Sequence, residues 1–161
     1  MDLVIREAAA PDFEAAADVA VAAYRTIDPE LGGYEARLRD VAGRTRHATV
    51  LVAVDDGRVI GTATYVGDPA SPLAESDDPG DAGLRMLAVS PDAMGRGAGT
   101  ALVEEAIARA RSDGRRRLVL LSRHTMKAAH AIYDRLGFER EPGLDETWDG
   151  GTLLGFALRL S

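Results

Sequence analysis

Between Leu84 and Thr100 the chain passes from a strand-like run, Leu84 to Val89, through Ser90-Pro91 into Met94-Gly95-Arg96-Gly97-Ala98-Gly99-Thr100. Glycines at 95, 97 and 99 let the backbone come close to a bulky anion. The helix that must begin beside them points unpaired N–H groups, and the positive end of its dipole, at the same place. This is the chemistry of a pyrophosphate cradle; a tight turn feeding a crossover helix is the plainer reading of the same glycines. Two other phosphate cradles are excluded by what surrounds this one. A Walker loop ends in Gly-Lys-Ser/Thr, whereas Gly99-Thr100-Ala101 has no lysine. A dinucleotide fold puts its glycines after the first strand, with an acidic residue about 20 positions on, and here they follow the fourth predicted strand.

Other chemistries find less support. The chain has no cysteine, which removes disulfide scaffolds, thiolate zinc sites and cysteine nucleophiles. His47, His124 and His130 are the only imidazoles, and the last two miss the i,i+4 spacing that puts a pair on one helical face, so no metal is expected. A net charge of −7 argues against a partner held by its phosphate backbone, which excludes nucleic acid from the expected partners. No apolar run reaches the roughly 18–20 residues of a membrane span. The start, Met1-Asp2-Leu3-Val4-Ile5-Arg6-Glu7, lacks the basic segment and apolar core of a secretory signal. A soluble cytoplasmic protein without a membrane partner is the expectation, and monomer and homodimer are both left open.

The elements that must position the glycines follow from periodicity. With 161 residues, 46% hydrophobic and 28% charged, the composition is that of one globular domain, expected over 1–161. Residues 2–8 alternate as a strand, and Pro11-Asp12 opens a helix running to Tyr24. A second helix is expected over Tyr34 to Arg44, closed near Gly43. Thr49 to Val54, then Asp55-Asp56-Gly57, then Val59 to Val66 read as strand, turn and strand. Gly67 to Ala82 holds three prolines and five acids and reads as loop. Thereafter strand 84–89, helix 98–111, strand 117–122 and helix 125–136 alternate, which implies a helical crossover between parallel strands. The helix 98–111 stacks Leu102, Val103, Ala106, Ile107 and Ala110 on one side, and Leu153 to Leu160 closes the chain as a strand. The fold class is α/β, an α+β arrangement on a mixed sheet.

A strand leading to Arg/Gln-x-x-Gly-x-Gly/Ala at a helix start closely resembles the GNAT acetyltransferase superfamily. Here the motif runs from Met94 to Gly99, with Met94 where the family carries Arg or Gln. A second family motif, a tyrosine four residues before Gly-Phe, appears as Tyr133-Asp134-Arg135-Leu136-Gly137-Phe138. Met126, seven residues before that tyrosine, stands where family members often carry Asn. The resemblance implies the acyl-CoA N-acyltransferase fold, with six or seven strands flanked by about four helices. Its sheet would be mostly antiparallel and parallel only between the fourth and fifth strands, where acetyl-CoA wedges between them.

The same resemblance implies a cosubstrate site made of Leu87, Ala88, Val89, Met94, Gly95, Arg96, Gly97, Ala98, Gly99, Thr100, Met126, Ala129 and Tyr133. It implies acetyl transfer to a primary amine of a small molecule or peptide, by direct attack in a ternary complex and without a metal. The backbone N–H of Leu87 or Val89 would polarise the acetyl carbonyl, and Tyr133 would be the acid for the departing thiolate. A phenol is protonated at neutral pH, as that role requires. Leu84-Arg85-Met86-Leu87 offers no carboxylate as base, which leaves Asp81, Glu75 or a water chain. A sensor of acyl-CoA without turnover, and a transferase using a longer acyl-CoA, are the alternatives.

Several stretches fall outside these motifs. Arg115-Arg116-Arg117 follow a helix of about 14 residues that carries them roughly 20 Å from the glycine turn, so they read as surface. The acidic loop 67–82 and the segment 145–150 are expected to shape the acceptor side, where Trp148 either lines the site or covers the sheet. The resemblance implies a place for His124 near the acetyl end, where it either contacts the acceptor or is a surface loop residue.

Overall fold

The structure, a computed structural model, describes residues 3–148 and 151–160, with the Trp148 side chain outside the described set. Its strands are β1 (Leu3–Glu7), β2 (Thr49–Asp55), β3 (Arg58–Val66), β4 (Asp81–Val89), β5 (Arg117–Arg123), β6 (Glu139–Arg140), β7 (Glu146–Trp148) and β8 (Gly151–Arg159). They form one mixed sheet in the order β1-β2-β3-β4-β5-β8-β6, with β7 paired to β8. The helices are α1 (Phe13–Arg25), α2 (Tyr34–Arg39), α3 (Val41–Thr45), α4 (Ala98–Ser112) and α5 (Lys127–Arg135). The tally exceeds the expected six or seven strands and about four helices because β6, β7 and α3 are too short to leave a periodic signal.

β2 and β3 are buried almost without interruption because both faces of the sheet are covered. Along β2, Leu51 and Ala53 pack with α4 residues such as Leu102 and Val103, while Val50, Val52 and Val54 pack with α1 residues such as Ala20 and Val21. This two-residue alternation sets one core on each side. No helix among the described residues is long and apolar enough to cross a membrane.

Three local expectations are corrected. Pro11 lies in a single 3-10 turn, Ala10–Asp12, and α1 starts after it. The helix expected over 34–44 is two helices parted at Asp40, whose carboxylate accepts the Gly43 N–H at 3.0 Å and caps α3, so Gly43 lies inside a helix instead of ending one. β4 begins at Asp81, inside the expected loop, because Asp81 is 5% exposed and accepts from Arg117 Nε and Nη2 at 2.9 and 2.7 Å.

The feature that positions the site is a split. β4 and β5 run parallel only from Asp81↔Arg117 to Leu84↔Leu120, after which β5 stays with β8 and β4 leaves it. Beyond the split, β4 pairs with β3 through Thr64↔Arg85 and Thr62↔Ala88, so one residue of β3 spans two of β4. The extra residue makes a bulge at Met86, whose φ is +54°. Met86 and Leu87 therefore fall outside both ladders, at the place where the sheet opens.

Candidate active site

The split separates two cavities. A narrow, largely apolar one of about 210 Å³ lies between β4 (Leu87, Ala88, Val89), Met94 and the start of α5 (Met126, Ala129, Ile132). A wider, polar one of about 610 Å³ lies on the other side of the bulge, with Tyr24, Glu75, Met86, Ser122 and Glu146 among its lining residues. Met126 lines both, so the two meet where β4 is bulged.

Met94, in the wall of the narrow cavity, leads directly into the glycine turn. Gly95 and Gly97 have φ of +83° and +84°, and a Cβ at either would meet nothing within 4 Å, so open space lies over the turn. Gly97 precedes the first residue of α4, and the first bond to close that helix runs from the Ala101 N–H to the Gly97 carbonyl at 3.0 Å. The N–H groups of Ala98, Gly99 and Thr100 are thus left for a ligand. Gly99 has a different reason to be glycine: a Cβ there would lie 2.9 Å from Ile132 Cδ1 and 3.4 Å from Val89 Cγ2. Its absence lets α4 come down between β4 and α5.

The cradle's side chains divide differently from the sequence expectation. Arg96 turns to Asp55, 3.2 Å away on β2. Met94 is 54% exposed and adds an apolar wall. The nearby cation is instead Arg135, which donates to Thr100 Oγ1 at 2.8 Å, and Lys127 lines the narrow cavity. An apolar slot walled by Met94, with a positively biased cluster of N–H groups a few residues on at the start of α4, suits a thioester arm joined to a pyrophosphate. Arg135 was not singled out from the sequence, although its place two residues after Tyr133 on a helix facing α4 was available as a signal.

Tyr133 is 4% exposed, its ring 5.5 Å from Phe138 and 5.8 Å from Phe156, and it lines neither cavity. Burial raises its pKa further above that of a free phenol. Burial also raises the pKa of Tyr24, with lesser contributions from the Tyr34 and Tyr133 phenols. Tyr24 is buried in the wall of the wide cavity.

The two sequence candidates for the base separate. Asp81 is held by Arg117 and by the Ser76 hydroxyl at 2.6 Å, at the start of β4 and away from both cavities, which removes it. Glu75 lines the wide cavity with 11% of its side chain exposed and lies 3.4 Å from Arg85. Burial, opposed by Arg85 and aided by Glu146, pushes its carboxyl up to about 7. The acidic loop and the 145–150 segment both reach this cavity, through Glu75 and through Glu146 and Thr147. His124 is exposed and lines neither cavity.

Sequence reasoning passed over Ser122 and His130. Ser122 is buried on β5 in the cavity wall, and its oxygen lies 3.1 Å from His130 Nε2. Burial lowers the pKa of His130, which keeps the imidazole neutral at pH 7. The arginine run 115–117 is also more than surface. Arg115 donates to the Gly67 carbonyl, Arg116 to Asp78 and Arg117 to Asp81, so the three close the far end of the acidic loop.

Comparison with known proteins agrees with this geometry. A model of the acetyltransferase (GNAT) family matches residues 6–138. The chain is 31% identical over 129 residues to the mycothiol acetyltransferase of Geodermatophilus obscurus, a match covering 74% of this chain and 39% of that protein. It thus spans well under half the length of that curated relative. The ribosomal-protein-S18-alanine N-acetyltransferase from Escherichia coli superposes with a TM-score of 0.74 at 22% identity, over 99% of this chain and 95% of the other. The yncA protein of Salmonella typhimurium, solved with its cofactor acetyl-CoA, superposes with a TM-score of 0.73 at 21% identity, over 100% and 95%. These two likenesses establish the fold. By the extent of the family match, the chain belongs to the acetyltransferase (GNAT) family.

Proposed function

We propose that the chain transfers the acetyl group of acetyl-CoA to a primary amine by direct attack, with both substrates bound. The observation that carries this reading is the meeting of two unlike cavities at the β4 bulge, one fitted to a thioester arm and the other to a polar acceptor. Acetyl-CoA, when bound, supplies an acyl group activated as a thioester. The N–H groups of Ala98 to Thr100, with Arg135 beside them, would hold its pyrophosphate, and Leu87, Val89, Met126 and Ala129 would line its arm.

At the bulge, the backbone of Leu87 lies outside both ladders and its N–H is proposed to polarise the carbonyl as an oxyanion donor. Glu75 takes the proton the ammonium must lose. The amine nitrogen then bonds to the carbonyl carbon, the carbon–sulfur bond breaks, Tyr133 gives the thiolate its proton, and the second proton that the nitrogen must lose restores the phenol. A second proton path is favoured by one contact: Ser122, hydrogen-bonded to neutral His130, also borders the cavity.

The test has two stages. Acetyl-CoA should raise the unfolding midpoint, since a ligand that binds only the folded state stabilises it. Thiol release in the presence of a panel of amines then separates turnover from sensing. Tyr133→Phe should lower kcat by roughly 100-fold, and unchanged turnover would remove Tyr133 from the chemistry.

A further inference from the structure

The wide cavity is lined by ionisable groups of both signs in equal number, Asp28, Glu75 and Glu146 against Arg37, Arg85 and Arg123. An acceptor carrying only positive charge is drawn by a surplus of carboxylates, and this wall has none. Two pairs are satisfied internally: Arg123 donates to Asp28 at 3.2 Å, and Arg85 lies 3.4 Å from Glu75. Arg37 and Glu146 are left, each without an ion-pair partner among the described residues. Arg37 and Arg85 also border one neighbouring cavity together, Glu75, Arg85 and Glu146 border another, and Arg85 lies 3.4 Å from Glu75, so the two unmatched charges flank the Arg85–Glu75 pair in one part of the wide cavity.

Arg37 is set for a planar anion. Its guanidinium carbon lies 5.7 Å from the centroid of the Tyr34 ring, and that ring is 5.6 Å from Tyr24. Stacking on an aromatic face restrains the guanidinium while its N–H fork stays available to a carboxylate. The segment carrying it is tied down by buried Arg44, which donates to the carbonyls of Arg37 and Leu38.

We propose that the acceptor is a free amino acid or a close analogue, its carboxylate on Arg37 and its ammonium between Glu75 and Glu146. This rests on the reading of the chain as an acetyltransferase whose acceptor enters the wide cavity. The amine and carboxylate of an α-amino acid share one carbon, so their sites must adjoin, and the placing of Arg37 and Glu146 about the Arg85–Glu75 pair supplies that. A volume of about 610 Å³ leaves room for a side chain as well. In the reaction one ammonium proton passes to Glu75, the neutral amino nitrogen bonds to the acetyl carbon, the bond from that carbon to sulfur breaks, the acid gives its proton to the leaving thiolate, and the second proton that the nitrogen must lose restores the acid. The N-acetyl product has lost its positive charge, and with it the hold of Glu75 and Glu146.

The experiment measures thiol release by the full chain with acetyl-CoA and a panel of free L-amino acids, each beside its carboxamide and its decarboxylated amine. At least one free amino acid should exceed both counterparts in kcat/KM by roughly 10-fold or more, the effect of one charge-assisted pair. Arg37→Gln should raise KM for that amino acid and bring it level with its carboxamide, and Arg37→Lys should restore part of the difference. Stabilisation of each variant by acetyl-CoA shows that it has folded. Equal rates on acid, amide and amine, or an Arg37→Gln variant that weakens all three alike, would overturn the proposal and leave the transferase standing. No turnover of any amine by protein that binds acetyl-CoA would overturn the transferase reading, and this proposal with it.

Discussion

Glu75 enters the cavity from a loop rich in proline and acid, and its side chain keeps only 11% of its surface. A carboxyl pushed up to about 7 is partly charged at neutrality and can accept a proton from a bound ammonium. The same shift has a consequence for stability. The folded pKa lies above the unfolded one, so the contribution is fully present below about pH 4. It is lost as the pH rises through about 7. Glu75→Gln removes the titration. The variant should therefore gain on the wild type between about pH 5 and pH 8, by on the order of 1–3 kcal/mol in urea unfolding. It should also lose roughly 100-fold in kcat/KM and the rise of activity around neutrality. A limb that survives in Glu75→Gln and lies below the ordinary histidine pKa would assign the base to His130, whose pKa burial lowers, acting through Ser122.

The cradle needs α4 to start in one place, and Gly97 fixes that place with a φ of +84°. Gly97→Ala meets no steric obstacle, since open space surrounds it, so only the left-handed backbone opposes the change, at about 1–2 kcal/mol. The variant should fold with a modestly lower midpoint and bind acetyl-CoA roughly 10-fold more weakly by calorimetric titration, as relief of the strain tilts the N–H groups out of the cradle. Binding equal to wild type would place the pyrophosphate elsewhere. The glycine spacing and the Leu102, Val103, Ala106, Ile107, Ala110 stripe are local signals, which is why α4 was legible in the sequence. The break at Asp40 was legible in principle, from an aspartate three residues before Gly43, but the apolar stripe through Leu38 and Val41 masked it. Nothing local marks the bulge, because Met86 is an ordinary strand residue whose positive φ falls where β4 parts from β5. The wall formed by Arg37, Glu75, Ser122 and Glu146 comes from four separated segments, and no spacing rule reaches across the pairing of β5 with β8 that assembles it.

Across the whole molecule β4 is fixed at one end so that it can be open at the other. At its start, Asp81 and Arg117 form a two-point pair that Ser76 and Glu141 complete, and Arg115 and Arg116 fasten the loop beside it. That clamp sets the register in which the parallel ladder begins, and the ladder runs for four residue pairs before the split. The acidic loop is thereby divided. Its far end is a structural fastening, and its middle, at Glu75, is a cavity wall. Asp81→Asn tests the division. It leaves Arg117, whose side chain is 25% exposed, with Glu141 alone at 3.3 Å, and should cost about 1–3 kcal/mol in urea unfolding. Well below the unfolding midpoint its kcat/KM should stay within about twofold of wild type, because a loss confined to folding stability does not alter a barrier at the bulge. A large fall in kcat with stability intact would put Asp81, not Glu75, beside the reacting amine and would require the ladder to open from its other end.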